Sequence, residues 1–143
     1  MAPFVRKIAS DMYAISWLGQ RPIQEVYKLM AEAEILIFPS MWYETFGRVV
    51  MEAFAQGALV IASNIGACNE IVRHGFTGLH FEPGNPRDLA DKIIWAKENP
   101  EEIARMQRNA RKEYENKFTP EKNYTMLMDI YEKTIENHGR RQP

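Results

Sequence analysis

The stretch ILIFPSMWYETFGRVVMEAFAQGALVIAS, residues 35–63, decides the fold. Its two ends, Ile35-Leu36-Ile37-Phe38 and Leu59-Val60-Ile61-Ala62, are nearly unbroken apolar runs. Such runs suit strands covered on both faces, as in a parallel sheet, better than half-exposed strands, which alternate. Between them Phe46, Val49, Val50, Ala53 and Phe54 recur at three- and four-residue steps, the stripe of one amphipathic helix. Gly57 stands where that helix would close in a left-handed cap. Strand, helix and strand at this spacing predict a right-handed βαβ unit.

Outward from this unit the pattern repeats. Upstream, Ala14-Ile15-Ser16-Trp17-Leu18, closed by Gly19, reads as a further strand, and Ile23, Val26, Tyr27, Met30 and Ala33 form a helical stripe. Downstream, a short helix is expected over Ala67 to Arg73. A strand follows at Gly78-Leu79-His80-Phe81, stopped by Glu82-Pro83-Gly84. Beyond it the chain turns wholly helical. Asn85-Pro86, Asn99-Pro100 and Thr119-Pro120 each place a capping side chain before a proline that fits a first helical turn. The expected architecture is α/β: a three-layer, Rossmann-like parallel sheet of about four strands with C-terminal helices. It is one domain over residues 1–143, with a core at 13–98 and a helical extension at 99–138. The polar tail His138–Pro143 is expected to fray.

Composition narrows the function classes. Hydrophobic residues make up 45% and charged residues 26%, a globular balance. Eighteen basic against nineteen acidic residues leave a net charge of −1, which gives no electrostatic footprint for nucleic acid. One cysteine, Cys68, cannot form an intrachain disulfide. No apolar run approaches a membrane span, and the start MAPFVRKIASDMY lacks the apolar stretch of a signal peptide. A reduced, cytoplasmic domain is expected, with peripheral membrane attachment left open for a full-length protein.

Ligands of open parallel sheets bind at the carboxyl ends of the strands. There the segment from Pro39 to Gly47 sets a carboxylate, ring side chains and a glycine just before a helix start. Unpaired N–H groups at such a start can seat a phosphate or a sugar oxygen. Glu52 follows Glu44 by eight positions. In a continuous helix that spacing would be about 12 Å, too far to share a proton or clamp one metal. It suits the two ends of an extended polyhydroxyl ligand such as a sugar nucleotide, because carboxylates accept from vicinal hydroxyls. The plainer alternative stays open. Glu44 can complement the helix dipole, and Glu52 can be an ordinary flank of an amphipathic helix.

The run from Pro39 to Val72, PSMWYETFGRVVMEAFAQGALVIASNIGACNEIV, resembles the core of retaining glycosyltransferases of family 4, with Glu44 and Glu52 on that family's Glu-x7-Glu motif. Gly57, Val60, Ile61, Ala62, Ser63, Gly66 and Glu70 match its later part, and the segment from His74 to Pro86 is similar to the family's next one. The resemblance implies part of the C-terminal, donor-binding domain of a two-domain GT-B enzyme. By position, Glu44 would hold hydroxyls of the transferred sugar and serve as the catalytic residue. Phe46 and Gly47 would cradle sugar or diphosphate, and Glu52 would accept from the ribose. Ser40, Thr45 and Arg48 complete the implied donor set, with Trp42, Tyr43 and Glu70 as secondary candidates. No metal and no cofactor is implied; the substrate is a nucleoside-diphosphate sugar of unknown base. Ala58-Leu59 and Ala67 depart from the family pattern. The earlier βαβ units that carry its diphosphate-neutralising Arg and Lys lie outside this sequence, as does the acceptor-binding N-terminal domain.

The remaining candidates read as structural. Cys68 is expected to be a small buried residue, and His74 and His80 lack metal-ligand spacing. Trp42 and Tyr43 suit stacking on a base or sugar as well as capping the sheet edge. An exposed Tyr124–Tyr131 stripe would invite a homodimer. Three functions follow: a donor-binding fragment without turnover of its own, a transferase completed by a partner chain, or a degenerate nucleotide-binding or protein-interaction module. The acceptor, whether glycan, lipid or small molecule, is not specified.

Overall fold

The computed structural model describes residues 2–139. The elements run α1 (Ala2–Asp11), α2 (Ile23–Glu32), β1 (Ile35–Phe38), α3 (Arg48–Gln56), β2 (Leu59–Ser63), α4 (Ala67–Ile71), β3 (Gly78–Phe81), α5 (Pro86–Glu98), α6 (Pro100–Lys117) and α7 (Pro120–Gly139). The strands form one parallel sheet in the order β1-β2-β3, with Leu36 opposite Val60 and Ile61 opposite Leu79.

The central strand β2 explains its own composition. All five of its residues are buried. Because side chains alternate across a sheet, Val60 and Ala62 face one layer while Leu59 and Ile61 face the other. Val60 and Ala62 pack with Val50, Ala53 and Phe54 of α3, Cys68 of α4 and Ala110 of α6. Leu59 and Ile61 pack with Leu79 and Phe81 of β3, Ala96 of α5 and Met106 of α6. Thus α6 serves both cores, and the three-layer arrangement rests on one strand with no polar face.

The expected helix boundaries follow the capping chemistry. Gly57 adopts φ 79°, the left-handed conformation that closes α3. Asn85 Oδ1 accepts from the backbone N–H groups of Arg87 and Asp88, each at 3.1 Å, with Pro86 in the first turn of α5. Asn99 acts backwards: its Nδ2 donates to the Trp95 carbonyl at 2.8 Å and so caps the end of α5, while Pro100 starts α6. Thr119 Oγ1 accepts from Lys122 N at 3.3 Å at the start of α7.

Three expectations change. The sheet has three strands among the described residues, not about four, because residues 14–18 form no strand. A strand exists only where a neighbour takes its backbone hydrogen bonds, and none reaches this segment. Ile15, Trp17 and Leu18 are all at least 40% exposed, and the Leu18 carbonyl accepts from Arg21 Nε at 2.8 Å instead. The helix expected to reach Arg73 ends at Ile71. Residues 2–11, not read as any element, form α1. The expected fraying of the tail falls partly on residues 140–143, which lie outside the described residues. Helix α7 is exposed along its length, with Tyr124, Ile130, Tyr131 and Ile135 more than half exposed.

Candidate functional site

The loop after β1 is built around Ser40 and two glycines. Ser40 Oγ accepts from the backbone N–H of Trp42 at 3.3 Å and lies 3.2 Å from Glu44 Oε1, to which its hydroxyl can donate. The Glu44 carbonyl accepts from Ala67 N at 3.2 Å, which ties the loop to the first residue of α4. Directly before Ala67, Gly66 has φ 57° and ψ −145°, a backbone conformation that side-chain-bearing residues rarely adopt. A Cβ there would stand 3.1 Å from Glu44 N, 3.2 Å from Glu44 O and 3.2 Å from Tyr43 Cα. Gly66 therefore permits the close seating of the Tyr43–Glu44 backbone. Gly47, buried and left-handed at φ 55°, makes the turn into α3.

Holding this backbone leaves its side chains facing solvent. Trp42 is 79% and Tyr43 83% exposed, so neither caps the sheet. Thr45 and Phe46 are also exposed, as is Glu44. Beneath the loop Cys68 is fully buried; burial pushes its thiol upward, and the Glu44 charge adds to that. A thiol held in its neutral form behaves as a packing group.

One helical turn into α3, the second carboxylate is already engaged. Arg48 Nε donates to Glu52 Oε1 at 2.8 Å, and Tyr27 of α2 lies with its hydroxyl 3.5 Å from the same oxygen. Glu52 is largely buried and Arg48 largely exposed. The hydrogen bond to Glu52 and then its charge hold the Arg48 guanidinium above its ordinary value. Glu52 Oε2 has no hydrogen-bond partner among the described residues, which leaves a carboxylate oxygen free to accept a hydroxyl. The two residues line a groove of about 360 Å³ with Tyr27, Tyr114, Phe118 and Asn123.

The structure thus places Ser40, Trp42, Tyr43, Glu44, Thr45, Phe46 and Gly47 on one loop, and Arg48 and Glu52 on the helix that leaves it. Glu70 sits exposed on α4 and makes no hydrogen bond to the others among the described residues. Tyr27 is the residue that sequence reasoning missed. Its place in the apolar stripe of α2 reads as core, and only the packing of α2 on α3 turns its hydroxyl to Glu52.

At the carboxyl end of β3, His74 and His80 stack with ring centroids 5.9 Å apart, bringing together two residues that carried no sequence signal of contact. His74 Nδ1 accepts from the His80 backbone N–H at 2.9 Å. Burial lowers the His80 imidazole from its ordinary value; the Cys68 carbonyl opposes this, His74 reinforces it and the Val72 carbonyl opposes it further. A base lowered in the fold binds its proton more readily when unfolded, so acid favours unfolding. Stability measured in urea should therefore decline as pH falls through the ordinary histidine value of about 6.5. In His80→Gln the decline between pH 7.5 and 5.5 should shrink. Asp88, lowered chiefly by the Glu82 backbone N–H, acts only in the more acidic carboxylate range.

An open parallel sheet flanked by helices, with a carboxylate-bearing loop leading from a strand into a glycine-started helix, is a Rossmann-like α/β domain. The chain belongs to the glycosyl transferases group 1 family, whose model matches residues 13–113. An uncharacterized glycosyltransferase of Methanocaldococcus jannaschii is 34% identical over 125 residues, covering 87% of this chain and 35% of that protein. Anabaena HepE, solved in complex with UDP, superposes with a TM-score of 0.80 at 26% identity, over 94% of this chain and 37% of that one. The same protein has been solved with UDP-glucose. The C-terminal domain of a Francisella tularensis group 1 protein shares the fold at a TM-score of 0.62 and 24% identity, over 74% of this chain and 53% of that one. The chain spans about a third of the length of the curated relatives it matches (35% and 30% for the first two). Among the described residues no helix is long and apolar enough to cross a membrane.

Proposed function

We propose that this chain is the donor-binding part of a retaining glycosyltransferase that moves a hexosyl group from a nucleoside-diphosphate sugar to an acceptor held by another domain. Glu44 is the catalytic residue and holds hydroxyls of the transferred sugar; the backbone of Phe46 and Gly47 cradles sugar or diphosphate; Glu52 accepts from the ribose. Ser40 orients Glu44, and Thr45 and Arg48 complete the donor set, with Trp42, Tyr43 and Glu70 secondary. No metal or cofactor takes part. The observation that carries the reading is the placement of Glu44 on a pinned loop and Glu52 on the helix it feeds, in a chain whose family and UDP-bound neighbour share this fold.

Chemically, the site orients the donor first. The bond from the anomeric carbon to the diphosphate oxygen then breaks, with its electron pair leaving on the nucleoside diphosphate. A bond to the acceptor oxygen forms on the retained face, and the acceptor's hydroxyl proton passes to the departing diphosphate. One wall of a cleft neither excludes water nor positions an acceptor, so the chain alone binds donor without turnover, and the acceptor domain belongs to a longer protein. Calorimetric titration with UDP, GDP and ADP and their glucose conjugates tests this. One base should bind selectively, and Glu52→Ala should weaken it at least tenfold. Glu44→Ala should weaken the sugar conjugate while sparing the bare nucleotide. Unchanged affinities in both variants would leave a degenerate module as the better reading.

A further inference from the structure

The ion pair between Arg48 and Glu52 raises a question of charge. Between Lys28 and Arg73, Arg48 is the sole lysine or arginine, and this span holds the whole loop from Pro39 to Gly47 and all of α3. It also holds both Glu44 and Glu52. Along the loop and α3 themselves, Arg48 is the one cation against Glu44 and Glu52, and it is engaged by Glu52; Arg111 of α6 reaches the other end of α3, at the Ala55 carbonyl.

The geometry shows how loosely Arg48 is engaged. Arg48 donates to Glu52 through Nε alone, at 2.8 Å, with Tyr27 as the other side chain close to the guanidinium. Its side chain is 74% exposed, against 16% for Glu52, so the arginine is the free end of the pair and the glutamate the anchored one. Exposed ion pairs contribute little, because water competes for both charges. Ribose hydroxyls, acting as donors, would take over the place that Arg48 Nε holds at Oε1. A planar guanidinium released beside a diphosphate finds a better partner, since its fork matches two phosphate oxygens.

We propose that Arg48 is this chain's diphosphate-binding residue, held on Glu52 and handed to the diphosphate when the ribose hydroxyls replace it. The inference rests on the nucleotide-sugar reading of the site and adds to it a device that favours nucleoside diphosphates over nucleosides. Ribose carries two vicinal hydroxyls: one can use Glu52 Oε2, unpartnered among the described residues, and only the second takes the place of Arg48 at Oε1. A nucleoside therefore gains that second contact at the expense of the ion pair, whereas a nucleoside diphosphate supplies the arginine with a new partner.

The test compares UDP, GDP and ADP with uridine, guanosine and adenosine by calorimetry, at low and high salt. The proteins are the unmodified chain, Arg48→Gln, Arg48→Lys and Glu52→Gln. Because Arg48 is exposed, its variants should keep the native circular dichroism and unfolding midpoint. For the base that binds, Arg48→Gln should weaken the diphosphate at least tenfold and reduce its salt dependence, while the nucleoside binds as well or more tightly. Arg48→Lys should retain part of the diphosphate affinity. Equal losses for nucleoside and diphosphate would reduce Arg48 to a positioning residue for Glu52 and overturn the proposal, as would no change for either. If no nucleotide binds the unmodified chain, or Glu52→Gln binds as the parent does, the site reading itself fails and the exchange falls with it.

Discussion

Gly66→Ala should abolish nucleotide binding at concentrations that saturate the parent chain, yet leave the three-stranded sheet assembled. The methyl group would stand 3.1 to 3.2 Å from the backbone of Tyr43 and Glu44, closer than ordinary van der Waals contact. Backbone has no rotamer to escape into, so the loop must move. A shift of a few tenths of an ångström lengthens the 3.2 Å hydrogen bond from Ala67 N to the Glu44 carbonyl and displaces the Glu44 side chain with it. A strained φ at a non-glycine residue adds about 1–3 kcal/mol of destabilisation. Far-ultraviolet circular dichroism should stay close to that of the parent, with a modestly lower urea midpoint. Titration with UDP, GDP and ADP supplies the binding readout. Unimpaired binding would mean that the seating of the loop against α4 does not matter to the site.

Phe54→Ala should produce the largest loss of stability of any single truncation in α3. Phe54 is fully buried and packs among Val50, Val60, Cys68 and Val72, between α3 and the central strand. Removing a buried phenyl ring costs about 3–5 kcal/mol through lost transfer energy and the cavity left behind. Domains of this size hold only about 5–15 kcal/mol in total, so the variant should be substantially unfolded in modest urea. Ile94→Ala provides the control. Ile94 is 54% exposed on α5, and its truncation should change the midpoint little. Comparable losses in the two variants would contradict the placement of the core between α3 and β2.

These two residues also show which features the sequence made legible. Phe54 could be assigned to a core face because a helical stripe and two flanking apolar runs leave one consistent packing. Gly57 and Asn85 could be placed because cap chemistry is local: φ at a glycine, or one side chain reaching two N–H groups. The same local logic failed for residues 14–18. Their composition suits a strand, but pairing depends on a neighbour that no short window contains. It failed again for Tyr27, whose hydroxyl meets a carboxylate twenty-five positions away, and for the stacking of His74 on His80 across the turn that leads into β3. The motif singled out Glu44 and Glu52 in the sequence. What the motif could not reveal is that Glu52 is already engaged by Arg48 and Tyr27.

The edge position of β1 has a consequence for handling this chain alone. One side of β1 pairs with β2, and no strand covers its other side among the described residues, so a row of N–H and C=O groups lies open there. Ile37, 41% exposed, adds an apolar contact on the same strand. Open edges recruit other strands, and molecules of near-zero net charge have little long-range repulsion to keep them apart. With a net charge of −1 this chain has almost none. Self-association of this chain alone is therefore expected through that edge as well as through the exposed face of α7. Lysine introduced at Ile37, a charge placed where pairing would occur, acts on the edge.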